Sequence, residues 1–282
     1  MTVRKTVQIP VQPWFKDHFF NGQSIFPAVE SMLLLAGVAK KIRPDNQRTV
    51  MNGAIFSKFL PIPDDATELP VLVDIDEDKN KLCLKLLSKI QFKNFSRIIE
   101  HAEICFPAKA PEVPSVTQIT VTAKHIAIKA SRIYEELVPF GETYRSLTGT
   151  LKISGNTASG TLQAPVLNQQ HKMEQELGSV FPLDGAMHAA CVLGQCIADF
   201  VPFPVGFAVR SINKPTRAGE KYSTTVLAKS VTKDELLFDL SIYDTAGTVC
   251  ETVRGLRMRD VSRGAVKPPG DLPRIRNIRQ RT

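Results

Sequence analysis

A chain of 282 residues and 31.2 kDa is long for one small domain and ample for two cores, at roughly 100 to 200 residues each. Hydrophobic residues at 43% and charged residues at 23% are globular proportions and exclude wholesale disorder. The formal charge of +8 invites an anionic partner, but residues 263–282 hold six cations against Asp271 alone, so +5 sits in that tail and only +3 elsewhere.

Met1 to Pro10 has no apolar core of the kind that marks a secretory leader. The longest apolar stretch, Met32 to Ala39, is far shorter than the roughly 20 residues a bilayer span needs. Five cysteines (Cys83, Cys105, Cys191, Cys196, Cys250) are an odd number without C-x-x-C spacing, so no disulfide framework is expected. A cytoplasmic protein is the expectation, and Met1 with a ragged tail suits a discrete protein.

The first chemistry-bearing segment runs from His18 to Pro27. A lone histidine is most often a packing or surface group. Three features weigh against that here. Gly22 permits a close backbone approach. Pro27 starts a helix whose free N–H groups can hold an anionic oxygen. Histidine is also the side chain most easily tuned as a base near neutral pH.

The spacing predicts a helix from Pro27 to Ile42, with Glu30 in its first turn and Lys40 and Lys41 in its last. It is apolar on nearly every side and must be enclosed. Strands follow at Glu68–Ile75, Lys81–Leu87 and Arg97–Phe106. Pro107 to Val116 is proline-rich and reads as a linker. Thr148–Ile153 reads as a strand; Gly155 to Gly160 mimics a phosphate loop but has Thr161 in the place of the required lysine.

A second apolar helix is predicted from Pro182 to Phe200. Asp184 and His188 share one of its faces. Asp184 could simply compensate the helix dipole and His188 could be a satisfied core histidine. Both, however, enter an otherwise apolar helix and need partners or a function. Such a pair could ligate a metal, yet no further ligand follows at suggestive spacing, so no metal and no cofactor is expected. Strands at Ser223–Ala228, Leu236–Tyr243 and Val249–Met258 precede a proline-containing tail expected to be poorly ordered.

The halves repeat. Phe26-Pro27 matches Phe181-Pro182, Met32 matches Met187, and Pro61 matches Pro215. One apolar helix followed by several strands, twice over, implies an α+β chain in which each antiparallel sheet wraps its helix. This resembles a double hotdog. Its expected parts are an N-terminal repeat over 1–110, a linker and C-terminal repeat over 111–262, and the tail over 263–282.

The motifs resemble those of polyketide synthase dehydratase domains and related polyunsaturated fatty acid synthases. That family's H-x-x-x-G-x-x-x-x-P is met by His18, Gly22 and Pro27, and its D-x-x-x-H by Asp184 and His188. Its central G-Y-x-Y-G-P keeps only Gly141 and Tyr144; Glu142, Arg145 and Ser146 depart from it. The histidine and proline ahead of the family's aspartate are replaced by Phe181-Pro182-Leu183.

The resemblance implies dehydration of a 3-hydroxyacyl thioester on an acyl carrier protein. His18 would take the C2 proton, and Asp184, aided by His188, would protonate the leaving hydroxyl. Each such acid–base step contributes about 10²- to 10⁴-fold. As a donor Asp184 would need a raised pKa, which an apolar helix favours. Gly22, Pro27 and Tyr144 would bind substrate, and Arg145 reads as a surface charge. A homodimer or partner synthase subunits are plausible on the same ground; no membrane partner is expected. Alternatives are a product-template-like cyclase or enoyl isomerase on the same fold, or a silent acyl-binding scaffold. Nucleic-acid binding rests on the tail alone, without interleaved aromatic residues.

Overall fold

The computed structural model describes residues 2–109 and 125–275. The first half runs through β1 (Val3–Pro10), the short hairpin β2 (Phe19–Phe20) and β3 (Gln23–Ser24), and helix α1 (Ala28–Ile42). It continues with β4 (Val50–Phe56), β5 (Glu68–Glu77), β6 (Lys81–Gln91) and β7 (Ser96–Pro107). The second half runs through β8 (Ile126–Lys129), β9 (Leu147–Ser154), β10 (Thr157–Gln163) and helix α2 (Phe181–Ile197). It ends with β11 (Phe203–Ile212), β12 (Lys221–Val231), β13 (Glu235–Tyr243) and β14 (Val249–Arg259).

Twelve strands form one antiparallel sheet in the order β1-β5-β6-β7-β4-β11-β14-β13-β12-β10-β9-β8. The repeat is visible in that order. β4 and β11 pair at the seam, and outward from it β7, β6, β5 and β1 are mirrored by β14, β13, β12 and β10. Each half encloses one apolar helix, which is the double hotdog arrangement. Pro27 is the N-cap of α1 rather than its first residue. In α2, every residue from Phe181 to Cys196 is buried, as its unbroken apolar and small-residue sequence requires. At the seam, Arg210 of β11 meets Glu251 of β14 at 2.6 Å, both fully enclosed. Losing either partner of such a pair typically costs about 3–5 kcal/mol.

The segment after Arg263 is not loose as far as it is described. Leu272 is buried, Ile275 N–H donates to Cys196 O at 2.8 Å, and Arg274 Nη1 donates to Gln195 O at 2.8 Å. The segment caps α2 because the last carbonyls of a helix lack intrahelical donors and attract a cation. Cys83 and Cys105, cross-strand partners on β6 and β7, form a disulfide; only the register brings them together. Of the expected linker, residues 110–116 lie outside the described residues. The rejected phosphate-loop mimic spans the turn between β9 and β10. No helix among the described residues is long and apolar enough to cross a membrane.

Candidate active site

His18 follows a 3-10 turn (Pro13–Asp17) and precedes the β2–β3 hairpin. The hairpin closes through Asn21 and Gly22 at φ 49° and 75°, a two-residue turn in which glycine suits the left-handed second position. A Cβ on Gly22 would meet nothing within 4 Å, so the backbone dihedral, not crowding, calls for glycine. The chain then returns beside His18: Ile25 N–H donates to His18 O at 2.9 Å, and His18 Nδ1 lies 3.2 Å from Ile25 O. A carbonyl only accepts, so Nδ1 carries the proton in that bond and Nε2 keeps its lone pair. Burial lowers the His18 pKa; Asp184 pulls it up and His188 pushes it down.

Asp184 and His188 lie on α2, both buried, with Asp184 Oδ2 2.9 Å from His188 Nε2. The two atoms are close but not aligned as a hydrogen bond. On the other side of the ring, Tyr134 Oη is 3.3 Å from His188 Nδ1 and accepts the Leu147 N–H at 2.7 Å. The Tyr134 hydroxyl proton is free to donate to Nδ1, and in that tautomer the His188 proton sits on Nε2, on the side of Asp184. Burial raises the Tyr134 pKa, so the hydroxyl keeps its proton.

Tyr134 sits in a π-helical turn, Ile133–Leu137, closed by Val138 N–H on Ile133 O at 2.7 Å. Such turns are rare and cluster at functional sites. Gln195 of α2 anchors this one through Nε2 on Leu137 O at 3.0 Å. The chain beyond it delivers Phe140, whose ring stacks on His18 at 4.4 Å and lies 5.0 Å from His188.

His18, Asp184, His188, Gly22 and Phe140 all line one cavity of about 850 Å³. His18 and Asp184 come from different repeats and face the same space. Two expected substrate contacts are placed elsewhere. Pro27 caps α1 and is not on the cavity wall. Tyr144 is fully buried behind His18, edge-on to it at 5.2 Å, because its 3-10 turn is drawn inward by Asp17. Asp17 O accepts Gly141 N–H at 2.7 Å, and its carboxylate takes Thr143 N–H at 2.9 Å and Oγ1 at 2.6 Å. Arg145 is exposed and donates to Phe140 O at 3.0 Å.

Sequence reasoning missed Tyr134, Phe140 and His101. His101 lines the cavity with both ring nitrogens engaged, at 3.1 Å to Lys58 O and 2.7 Å to Ser88 Oγ, which makes it a wall residue. On α1, burial and then the charge of Glu174 push the Glu30 carboxyl up to about 8, while Trp14 Nε1, 3.4 Å away, pulls it down. Among the described residues no group of three or more His, Cys, Asp or Glu is placed to hold a metal.

The family model described as the polyketide synthase dehydratase N-terminal domain matches residues 117–268, more than half of the chain. The chain belongs to the polyketide synthase dehydratase family. Its reaction is removal of water from a 3-hydroxyacyl thioester, leaving a 2-enoyl thioester. Solved dehydratase structures share the fold. A trans-AT polyketide synthase dehydratase domain from Brevibacillus brevis superposes with a TM-score of 0.71 at 17% identity, covering 92% of this chain and 94% of that one. The dehydratase domain of RzxB from Pseudomonas fluorescens gives 0.71 at 13% identity, covering 91% and 94%. The bifunctional dehydratase-cyclase domain in ambruticin biosynthesis gives 0.69 at 17%, covering 92% and 91%. No curated protein matches this dehydratase.

Proposed function

We propose that His18 is the base and Asp184 the acid of the dehydration, acting on a 3-hydroxyacyl thioester carried by an acyl carrier protein in polyketide or fatty-acid-type biosynthesis. The carrying observation is that the two side chains, one from each repeat, line the same cavity, with the Nδ1 of His18 held by Ile25 O. His18 Nε2 removes the C2 proton. Negative charge moves onto the thioester oxygen, where first-turn N–H groups of α1, with Ala28 on the cavity wall, are suited to meet it. The electron pair then forms the C2–C3 double bond as the C3–O bond breaks. Asp184, in its acid form, gives the departing hydroxyl its proton, and water leaves. The proton on His18 must return to Asp184 before the next turnover.

His188 stands beside Asp184 at 2.9 Å and Tyr134 beside His188 at 3.3 Å; neither needs to touch substrate. The depressed His18 pKa supports a neutral base at neutral pH. The same reading puts the enzyme in the cytoplasm, where the Cys83–Cys105 bridge would stand against a reducing environment.

The test is mass spectrometry of defined 3-hydroxyacyl carriers incubated with the purified chain. Loss of one water, abolished in His18→Phe and in Asp184→Asn, is the expected result. Normal carrier binding with every 3-hydroxyacyl substrate left intact would favour a silent scaffold. A cyclised product from a poly-β-keto chain would favour a cyclase.

A further inference from the structure

Exposed large hydrophobic side chains are concentrated in one region of this molecule. Of nine among the described residues, Ile90, Phe92, Phe95 and Ile98 lie at the tip of the β6–β7 hairpin, and Phe59 and Val261 line the cavity. Phe95 is 60% exposed and Phe92 43%, and their rings stack at 4.6 Å. The tip is a tied turn: Phe92 N–H donates to Phe95 O at 2.8 Å, and Gln91 Nε2 donates to Phe92 O at 3.0 Å. Leaving such a patch in water is unfavourable, and patches of this kind commonly mark contact sites.

The charge around the patch has one sign. Lys89, Lys93 and Arg97 are exposed, and no Asp or Glu occurs between Ser88 and Ile99. None of the three cations meets an acid among the described residues. The hairpin also leads back to the cavity. β7 runs from the tip at Ser96 to His101 on the cavity wall, about 17 Å at the usual rise per residue. There Ser57 N–H donates to His101 O at 2.9 Å, and Lys58 and Phe59 continue the same cationic and apolar character at the cavity.

We propose that the β6–β7 hairpin is the docking surface for an acidic protein that delivers the acyl thioester to the cavity. The assignment rests on the dehydratase reading for what is delivered, but not for the surface itself. A symmetric contact with a second copy would set these cations against their own kind. Continuity with the substrate's entry favours a protein over a lipid surface.

Two variants test this: Lys89→Glu/Lys93→Glu/Arg97→Glu, and Phe92→Ser/Phe95→Ser. All five residues are exposed and far from the acid and base, and melting curves check that each variant folds. The substrates are one 3-hydroxyacyl group on an acyl carrier protein and the same group on a short pantetheine thioester. The expected result is a fall of tenfold or more in kcat/KM for the carrier substrate, through KM, with the pantetheine substrate unchanged. Salt should inhibit the carrier reaction of the parent protein and affect the charge-reversed variant little.

Equal losses on both substrates, or none on either, would overturn the docking assignment. Carrier binding to His18→Phe, measured by fluorescence anisotropy with and without the hairpin changes, reads docking without turnover. If no substrate is dehydrated but hairpin changes still weaken carrier binding, the reaction assignment fails and the docking surface stands. Unchanged carrier binding, with loss of pelleting on phosphatidylserine vesicles or a change in sedimentation, would give the patch to a membrane or to a second copy.

Discussion

Phe140 lies nearly flat over His18, with ring centroids 4.4 Å apart and planes 23° apart. It belongs to the second repeat and His18 to the first, so the proposed base is shielded by the half that supplies the proposed acid. Burial is the largest influence lowering the His18 pKa from its usual 6.5. In the proposed role His18 works when neutral, so activity should rise with pH through that lowered value. Phe140→Ala admits water, moves the acidic limb of kcat/KM up towards 6.5, and costs about tenfold or more through lost positioning. Phe140→Leu should restore most of the limb. A pH–rate profile of the two variants decides whether the ring acts by excluding water.

Tyr134→Phe removes one oxygen and leaves two buried groups, Leu147 N–H and His188 Nδ1, without it. An unsatisfied buried polar group costs about 1–3 kcal/mol, so stability should fall by that order. More telling is the chemistry: kcat should fall about tenfold with KM little changed, because the hydroxyl orders His188 and not the substrate. Nitrogen-15 NMR of labelled histidine should show His188 losing its single tautomer. A uniform fall in stability with an unchanged tautomer would reduce Tyr134 to a packing residue.

Gly141 should tolerate no side chain. A Cβ there would stand 2.4 Å from Asp17 Oδ1, in the contact that joins the segment before His18 to the turn holding Tyr144. Gly141→Ala is expected to cost about 1–3 kcal/mol, as overpacking does, and most of the activity. Asp17→Gly also breaks the clamp but makes room, because it removes the Asp17 Cβ, which would otherwise stand 2.6 Å from the new one. The double variant should therefore be better than the two single losses added together, a coupling readable from urea unfolding.

These contacts mark what the sequence could and could not disclose. Both helices were legible because their apolar residues cover every face and their ends carry proline, acids or lysines. Seven strands were legible by alternation. β1 was not, being mostly exposed and polar, nor β11, which opens with Phe203-Pro204 and contains a glycine. His18, Asp184 and His188 were legible because polar groups stand out in apolar surroundings. Phe140 and Tyr134 were not, because an aromatic residue in a buried segment looks like packing until its neighbour is known. Nothing in Ile133–Leu137 announces a π-helical turn, whose extra residue per turn depends on Gln195 holding Leu137 O from another element.

Glu30 offers the clearest link between pH and stability. It is buried on α1, faced by Trp14 from the 3-10 turn, Glu174 from the short helix Glu174–Leu177 and Asp184 from α2. Its carboxyl is held up to about 8 in the fold against an ordinary 4.5. The folded protein therefore keeps a proton that the unfolded chain releases. The associated stability is intact below 4.5, declines as pH rises and is lost by about 8. Glu30→Gln keeps an acceptor for Trp14 and removes the titration. The variant should match the parent near pH 4 and exceed it by on the order of 3 kcal/mol near pH 7. Glu30 is not on the cavity wall, so dehydration should persist within a few-fold. Urea midpoints at several pH values check this; a difference that stays flat with pH would mean that Glu30 ionises in the fold as it does in water.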